Sequence, residues 1–121
     1  MKFTAPGAPV PKERPRTFTT RSGKVRTITP TRTQAYEDMV AWFARAEGID
    51  DSLWDSDVSV RMWFYMPDNR RRDVDNLAKS VLDSVSGLIF KDDTQVRHVE
   101  AWKLLDRQNP RTEVEVMEWT G

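Results

Sequence analysis

No cysteine occurs among the 121 residues, and His98 is the single histidine. Disulfides, thiolate metal centres, cysteine nucleophiles and histidine-rich zinc sites are thereby excluded. The five glycines are scattered, so no glycine-rich loop is present to cradle a nucleotide phosphate. No apolar run approaches the roughly 20 residues that a membrane helix needs. The first thirty residues also lack the apolar stretch of a secretory signal, and the expectation is a soluble, cytoplasmic protein with no membrane partner. Net charge is missing too, because 19 Lys and Arg balance 19 Asp and Glu.

That neutrality is an average over two unlike parts. Residues 1–34 carry Lys2, Lys12, Arg14, Arg16, Arg21, Lys24, Arg26 and Arg32 against Glu13 alone, a balance of +7. The remainder therefore carries −7. A basic arm on an acidic body suggests that one surface binds a polyanion; a solubilising tail is the plainer reading of the same charges. Five of the seven prolines also fall in this arm, which makes it extended or looping chain.

At this length the chain forms one domain. Short strands are expected at Lys2 to Thr4 and at Lys24 to Ile28, with a turn at Ser22-Gly23. Tyr36, Met39, Val40, Phe43 and Ala46 recur at helical spacing, which predicts a helix from Thr33 to Glu47, capped by Thr31 or Thr33. VSVRMWFYM, Val58 to Met66, alternates as a strand does. Leu77, Val81, Val85 and Leu88 mark a second helix from Asn76 to Ser86 that stops at Gly87. Thr94 to Leu104 and Glu113 to Trp119 alternate again, and Arg107 to Pro110 between them suits a turn, so an antiparallel hairpin is expected there. The sum is an α+β fold, a small sheet with two main helices.

Between the central strand and the second helix lies Asp68-Asn69-Arg70-Arg71-Arg72-Asp73-Val74-Asp75-Asn76-Leu77-Ala78-Lys79, with Asp92-Asp93 following that helix. Clustered aspartates are hard oxygen ligands, suited to Mg²⁺ or Mn²⁺. Arginines beside them make sense when a phosphate is bound as well, bridged to the carboxylates by the ion. The pattern points to a metal-dependent nuclease. Each acid also has a plainer role, Asp75 as a helix cap and Asp92-Asp93 as turn residues. Lys79, one turn after Asp75, has its own in a salt bridge to Asp75 or Asp83. His98 reads as a packed or half-exposed strand residue rather than a general base. Trp42 and Trp63, which stacking on bases would also suit, read as core or interface residues.

The segment MPDNRRRDVDNLAKSVLDSVSGLIFKDDTQV, Met66 to Val96, resembles the signature region of the RusA family of Holliday junction resolvases. The match rests on the arginine run, the Asp-x-Asp-Asn, the lysine and the Asp-Asp at the matching interval. The resemblance implies catalytic, metal-binding carboxylates at Asp73, Asp75 and Asp93, an essential Lys79, Mg²⁺ as cofactor and a homodimer of mixed α/β fold from bacteria or their phages. Asp92 is an auxiliary candidate ligand. Arg70, Arg71 and Arg72, with Arg14, Arg16, Arg21, Lys24 and Arg26 of the arm, are the candidate DNA contacts. The implied activity is resolution of four-way DNA junctions by paired symmetric nicks in recombination and repair. A catalytically silent DNA-binding module and a nuclease for flaps and forks are the alternatives.

Overall fold

The central strand, β4 (Val58–Met66), sends Val58, Val60, Met62, Phe64 and Met66 into the core and leaves Ser59, Arg61, Trp63 and Tyr65 on the other face. Every second residue of this longest apolar run is buried, so the strand needs a partner on each side. The computed structural model, which describes residues 1–121 apart from Pro15 and Thr29, supplies both. The sheet order is β1 (Lys2–Pro6), β6 (Arg111–Glu118), β4, β5 (Val96–Leu105).

The C-terminal hairpin expected from the sequence is not formed. β5 pairs with β4 in parallel and β6 pairs with β4 antiparallel, so the central strand separates them. Alternation identifies a strand but not its neighbours. Here the helix between β4 and β5 makes the crossover that parallel pairing requires. The chain after β5 then turns at Asp106, whose carboxylate accepts from the Gln108 and Asn109 amides, and returns on the far side of β4.

Two helices cover the core face. In α1 (Thr31–Glu47) Thr33, Tyr36, Val40 and Ala44 are buried, whereas Ala46 and Trp42 are exposed. Pro30 stands at its N-cap with no side-chain bond, so neither Thr31 nor Thr33 caps it. The Thr33 hydroxyl instead accepts from the Glu13 amide and donates to the Pro11 carbonyl, fastening the arm to the helix. In α2 (Val74–Val85) Leu77, Ala78, Ser80, Val81 and Val85 are buried. Each large apolar side chain there contributes about 1.5–3 kcal/mol by leaving water. Burial raises the pKa of Tyr36, with the Thr112 hydroxyl bond opposing it, so the phenol stays neutral.

The arm is more ordered than a loop. β1 pairs with β6, whereas β2 (Arg16–Thr19) and β3 (Val25–Ile28) form a separate two-stranded hairpin around Gly23, whose φ of 83° suits glycine. Among the described residues no helix is long and apolar enough to cross a membrane.

Candidate active site

The N-terminus of α2 is built by the short loop 67–73. Asp68 folds that loop by accepting from the Arg70 amide at 3.0 Å and from the Arg72 guanidinium at 2.8 Å. The Arg72 bond is the chief reason the Asp68 carboxyl is held below its ordinary range. Lys103 of β5 adds a bond to the Arg72 carbonyl at 2.9 Å. Arg72 is thus committed to the scaffold, while Arg70 and Arg71 project into solvent. Of the three arginines taken as DNA contacts, two are placed to meet a ligand.

Asp73 is the N-cap residue of α2, and its carbonyl accepts from the Asn76 and Leu77 amides. Its carboxylate makes no capping bond. Asp75 is not a cap either, since it lies inside the first turn. Both carboxylates therefore stand exposed at the positive end of a helix, where negative charge is favoured. Lys79, one turn on, is exposed and pairs with neither Asp75 nor Asp83 among the described residues. The plainer readings of Asp75 and Lys79 do not hold among the described residues.

Asp83 is taken instead by Lys12, at 3.1 Å, and Lys12 also donates to Glu37 of α1 at 2.7 Å. Burial works against the Lys12 charge, but the hydrogen bonds to Glu37 and Asp83 outweigh it and raise its pKa. The Lys12 amide donates to the Asn76 carbonyl at 2.8 Å. These contacts lay the arm across α2 and enclose a cavity of about 460 Å³ lined by Lys12, Glu13, Arg14, Asn76, Lys79 and Asp83. The sequence offered Lys12 only as charge and Asp83 only as a partner for Lys79, four residues away on the helix; the structure pairs Lys12 and Asp83 with each other.

Asp92 and Asp93 lie elsewhere. Asp92 caps the 3₁₀ turn Asp93–Gln95, and the Gln95 side chain returns a bond to the Asp92 amide. The Gln95 amide also donates to the Trp54 and Ser56 carbonyls, pinning this turn beside the start of β4. The two carboxyls contact each other. That contact lowers Asp92 and raises Asp93, and the Asp83 charge adds to the rise. Asp93 therefore sits by the C-terminal half of α2, whereas Asp73 and Asp75 sit at its start. α2 itself spans about 18 Å at 1.5 Å per residue over its 12 residues, and Asp83, the helix residue whose charge reaches Asp93, lies about two turns beyond Asp75.

Within one chain, then, the three aspartates are not gathered. Among the described residues no set of three His, Asp or Glu is placed to hold a metal ion. The donor chemistry suits a hard divalent cation, but a single chain presents it as two halves at opposite ends of α2. The remaining candidates are Arg14, on the cavity wall, and Arg21, Lys24 and Arg26, exposed on the β2–β3 hairpin. The side chain of Arg16 lies outside the described residues. His98 donates or accepts with Ser59 at 2.8 Å and meets Glu100 at 3.0 Å, engaged on both nitrogens within the sheet. Trp42 is 60% exposed and Trp63 stacks on Trp102 across the open face of the sheet, so neither belongs to the core.

Comparison with known proteins agrees with the resemblance carried by Met66 to Val96. The chain is 34% identical over 99 residues to the crossover junction endodeoxyribonuclease RusA of Escherichia coli K12, covering 81% of this chain and 82% of that protein. The same figures hold for the enzyme of Enterobacteria phage 82. Over 139 aligned residues it is 30% identical to the uncharacterized protein YqaN of Bacillus subtilis, covering 98% of this chain and 96% of that one. The model of the endodeoxyribonuclease RusA family matches residues 6–117, which take in both helices, β4, β5 and all but the last residue of β6, and the chain belongs to that family.

Proposed function

We propose that the chain is a metal-dependent, structure-selective endodeoxyribonuclease that resolves four-way DNA junctions by paired nicks, acting as a homodimer. The observation that carries this reading is the start of α2. There Asp73, Asp75 and Lys79 are exposed and, among the described residues, without internal partners, beside a cavity walled by the basic arm. The relatives named crossover junction endodeoxyribonuclease supply the reaction class.

The separation of Asp93 from Asp73 and Asp75 favours two chains over one. A second copy related by a two-fold axis, with its α2 running the opposite way, sets the start of one helix against the 92–93 turn of the other. The axis makes two equivalent sites at once, which two symmetric nicks require. Val99 and Leu105, on the core side of edge strand β5, remain 42% and 46% exposed and offer apolar surface for such a pairing.

Asp73, Asp75 and Asp93 would then hold Mg²⁺, with Asp92 beside them. The ion supplies Lewis acidity toward the phosphate and lowers the pKa of water. Lys79 places its ammonium where the scissile phosphate enters and holds that group in line. Arg70, Arg71 and Arg14 grip flanking phosphates without reading sequence. Cleavage measured on four-way junctions, flaps, forks and linear duplexes, with and without Mg²⁺, tests the reading. Metal-dependent paired nicking of the junction is expected, together with a sedimenting mass twice that of one chain. Junction binding with no cleavage in any metal would leave only a DNA-binding module. Preferential cutting of flaps or forks would reassign the substrate.

A further inference from the structure

Among its described side chains the β2–β3 hairpin has no core within this chain. Its strands are hydrogen-bonded to each other and to no strand of the main sheet, and residues 17–27 are exposed on both faces apart from the half-buried Thr20. Hairpins of two strands are marginal in water, so this one needs an external surface to hold it in use. The charge of the segment identifies the surface. Between Glu13 and Glu37 there is no acid, while Arg21, Lys24 and Arg26 stand at and beside the tip.

The register adds a second element. Phe18 lies opposite Arg26, so both side chains leave the same face, and Val25 leaves the other. Phe18 is 45% exposed, and among the described residues no cation–π contact covers its ring. A bare aromatic face beside a guanidinium is the combination that single-stranded nucleic acid meets, with a base on the ring and a phosphate on the cation. Paired duplex hides its base faces, whereas a branch point or a flap exposes them.

We propose that Phe18 is a stacking residue for an unpaired base at the branch point of the DNA, with Arg26 holding the adjoining phosphate. This contact would let the protein distinguish branched from linear DNA, and it rests on the reading given under Proposed function. Its partners are nucleobase and phosphate; a second copy of the chain is the competing occupant.

The test uses the full chain without divalent metal, so that DNA is bound and not cut. A four-way junction carrying 2-aminopurine at the branch point, and a linear duplex carrying it at mid-length, are titrated with wild type, Phe18→Ala, Phe18→Leu, Phe18→Trp and Val25→Ser. Wild type is expected to change the junction fluorescence and to prefer the junction. Phe18→Ala and Phe18→Leu should lose that change and lose about 5- to 100-fold in junction affinity, with duplex affinity within about twofold. Phe18→Trp should retain both, as should Val25→Ser on the opposite face. Equal losses on junction and duplex, an unaltered Phe18→Ala, retention by Phe18→Leu, or dissociation of a wild-type dimer by Phe18→Ala would each overturn the proposal. If wild type binds the junction no better than the duplex, the resolvase reading fails first. If wild type discriminates and Phe18→Ala does so equally, the stacking role alone is lost.

Discussion

The open face of the main sheet and the arm with the start of α2 are both rich in charge and exposed aromatic rings, yet they are built on opposite terms. On the sheet face the groups answer one another. Trp63 stacks on Trp102 with centroids 5.2 Å apart, Lys2 lies 4.9 Å from the Trp63 ring, and Arg111 covers Tyr65 while bonding Asp106 and Glu113. Arg61 lies between Glu100 and Glu115. At the start of α2 and on the hairpin, Asp73, Asp75, Lys79 and Phe18 have no such partners among the described residues. Aromatic and charged content alone does not mark a DNA surface; the marks are groups left unmatched and neighbours of the sign that phosphate needs.

The most severe way to break that contrast is to neutralise the acids. Asp73→Asn, Asp75→Asn and Asp93→Asn should each lower single-turnover junction cleavage by at least about a thousandfold, because each removes a ligand charge from the proposed ion site. Junction binding should hold or improve, and thermal stability should not fall for Asp73→Asn and Asp75→Asn, whose carboxylates make no internal bond among the described residues, while Asp93→Asn, which alters the contact with Asp92 and the Thr94 amide, should change it only slightly. Asp92→Asn should be far milder, because asparagine caps the 3₁₀ turn as aspartate does. Full cleavage by any of the first three would remove that residue from the site.

Next in size is Lys79. Exposed and without a partner among the described residues, it adds little to the fold, so Lys79→Ala should lower turnover about 100-fold through lost positioning, with junction affinity reduced only a fewfold. A loss confined to affinity would make it an anchor, no different from Arg70.

The sheet face should show the reverse pattern. Trp102→Ala removes a stacked partner from Trp63 and should cost about 1–2 kcal/mol of stability in denaturant unfolding. Cleavage per folded molecule should be unchanged. Lost cleavage at unchanged stability would move the DNA surface to this face.

How far the sequence leads follows the same division. The start and end of β4, the apolar stripe of α2 and the acid and lysine motif were legible because period and spacing are local. The placement of β5 and β6 was not, because which strand takes the centre is decided by the packing of all of them. The assembly of the acids was hidden for a related reason. The motif shows Asp73 and Asp75 two residues apart, but Asp73 stands at the N-cap position and Asp75 within the first turn, and the course of α2 then carries Asp93 away from them. The β2 strand escaped notice because RTFT is short, polar and set among prolines, and only pairing with β3 reveals it.

The smallest expected effect tests whether the loop before α2 belongs to the scaffold or to the ligand surface. Asp68 binds Arg72 and the Arg70 amide, and its folded pKa lies below the ordinary 3.8. A carboxyl whose pKa is depressed by folding contributes stability that is present above the unfolded value and is lost as pH falls through the folded one. Arg72 keeps its charge throughout, so protonation of Asp68 is what ends the pairing. The stability difference between wild type and Asp68→Ala should therefore be small but constant from neutral pH down to about 4, and should shrink below it. Urea unfolding of both proteins across that range measures it. Cleavage by Asp68→Ala should fall only modestly, since Arg70 and Arg71, the proposed phosphate contacts, remain exposed. A difference that persists unchanged well below pH 3.8 would show that Asp68 acts through shape rather than charge, and Arg72 would then return to the set of candidate phosphate contacts.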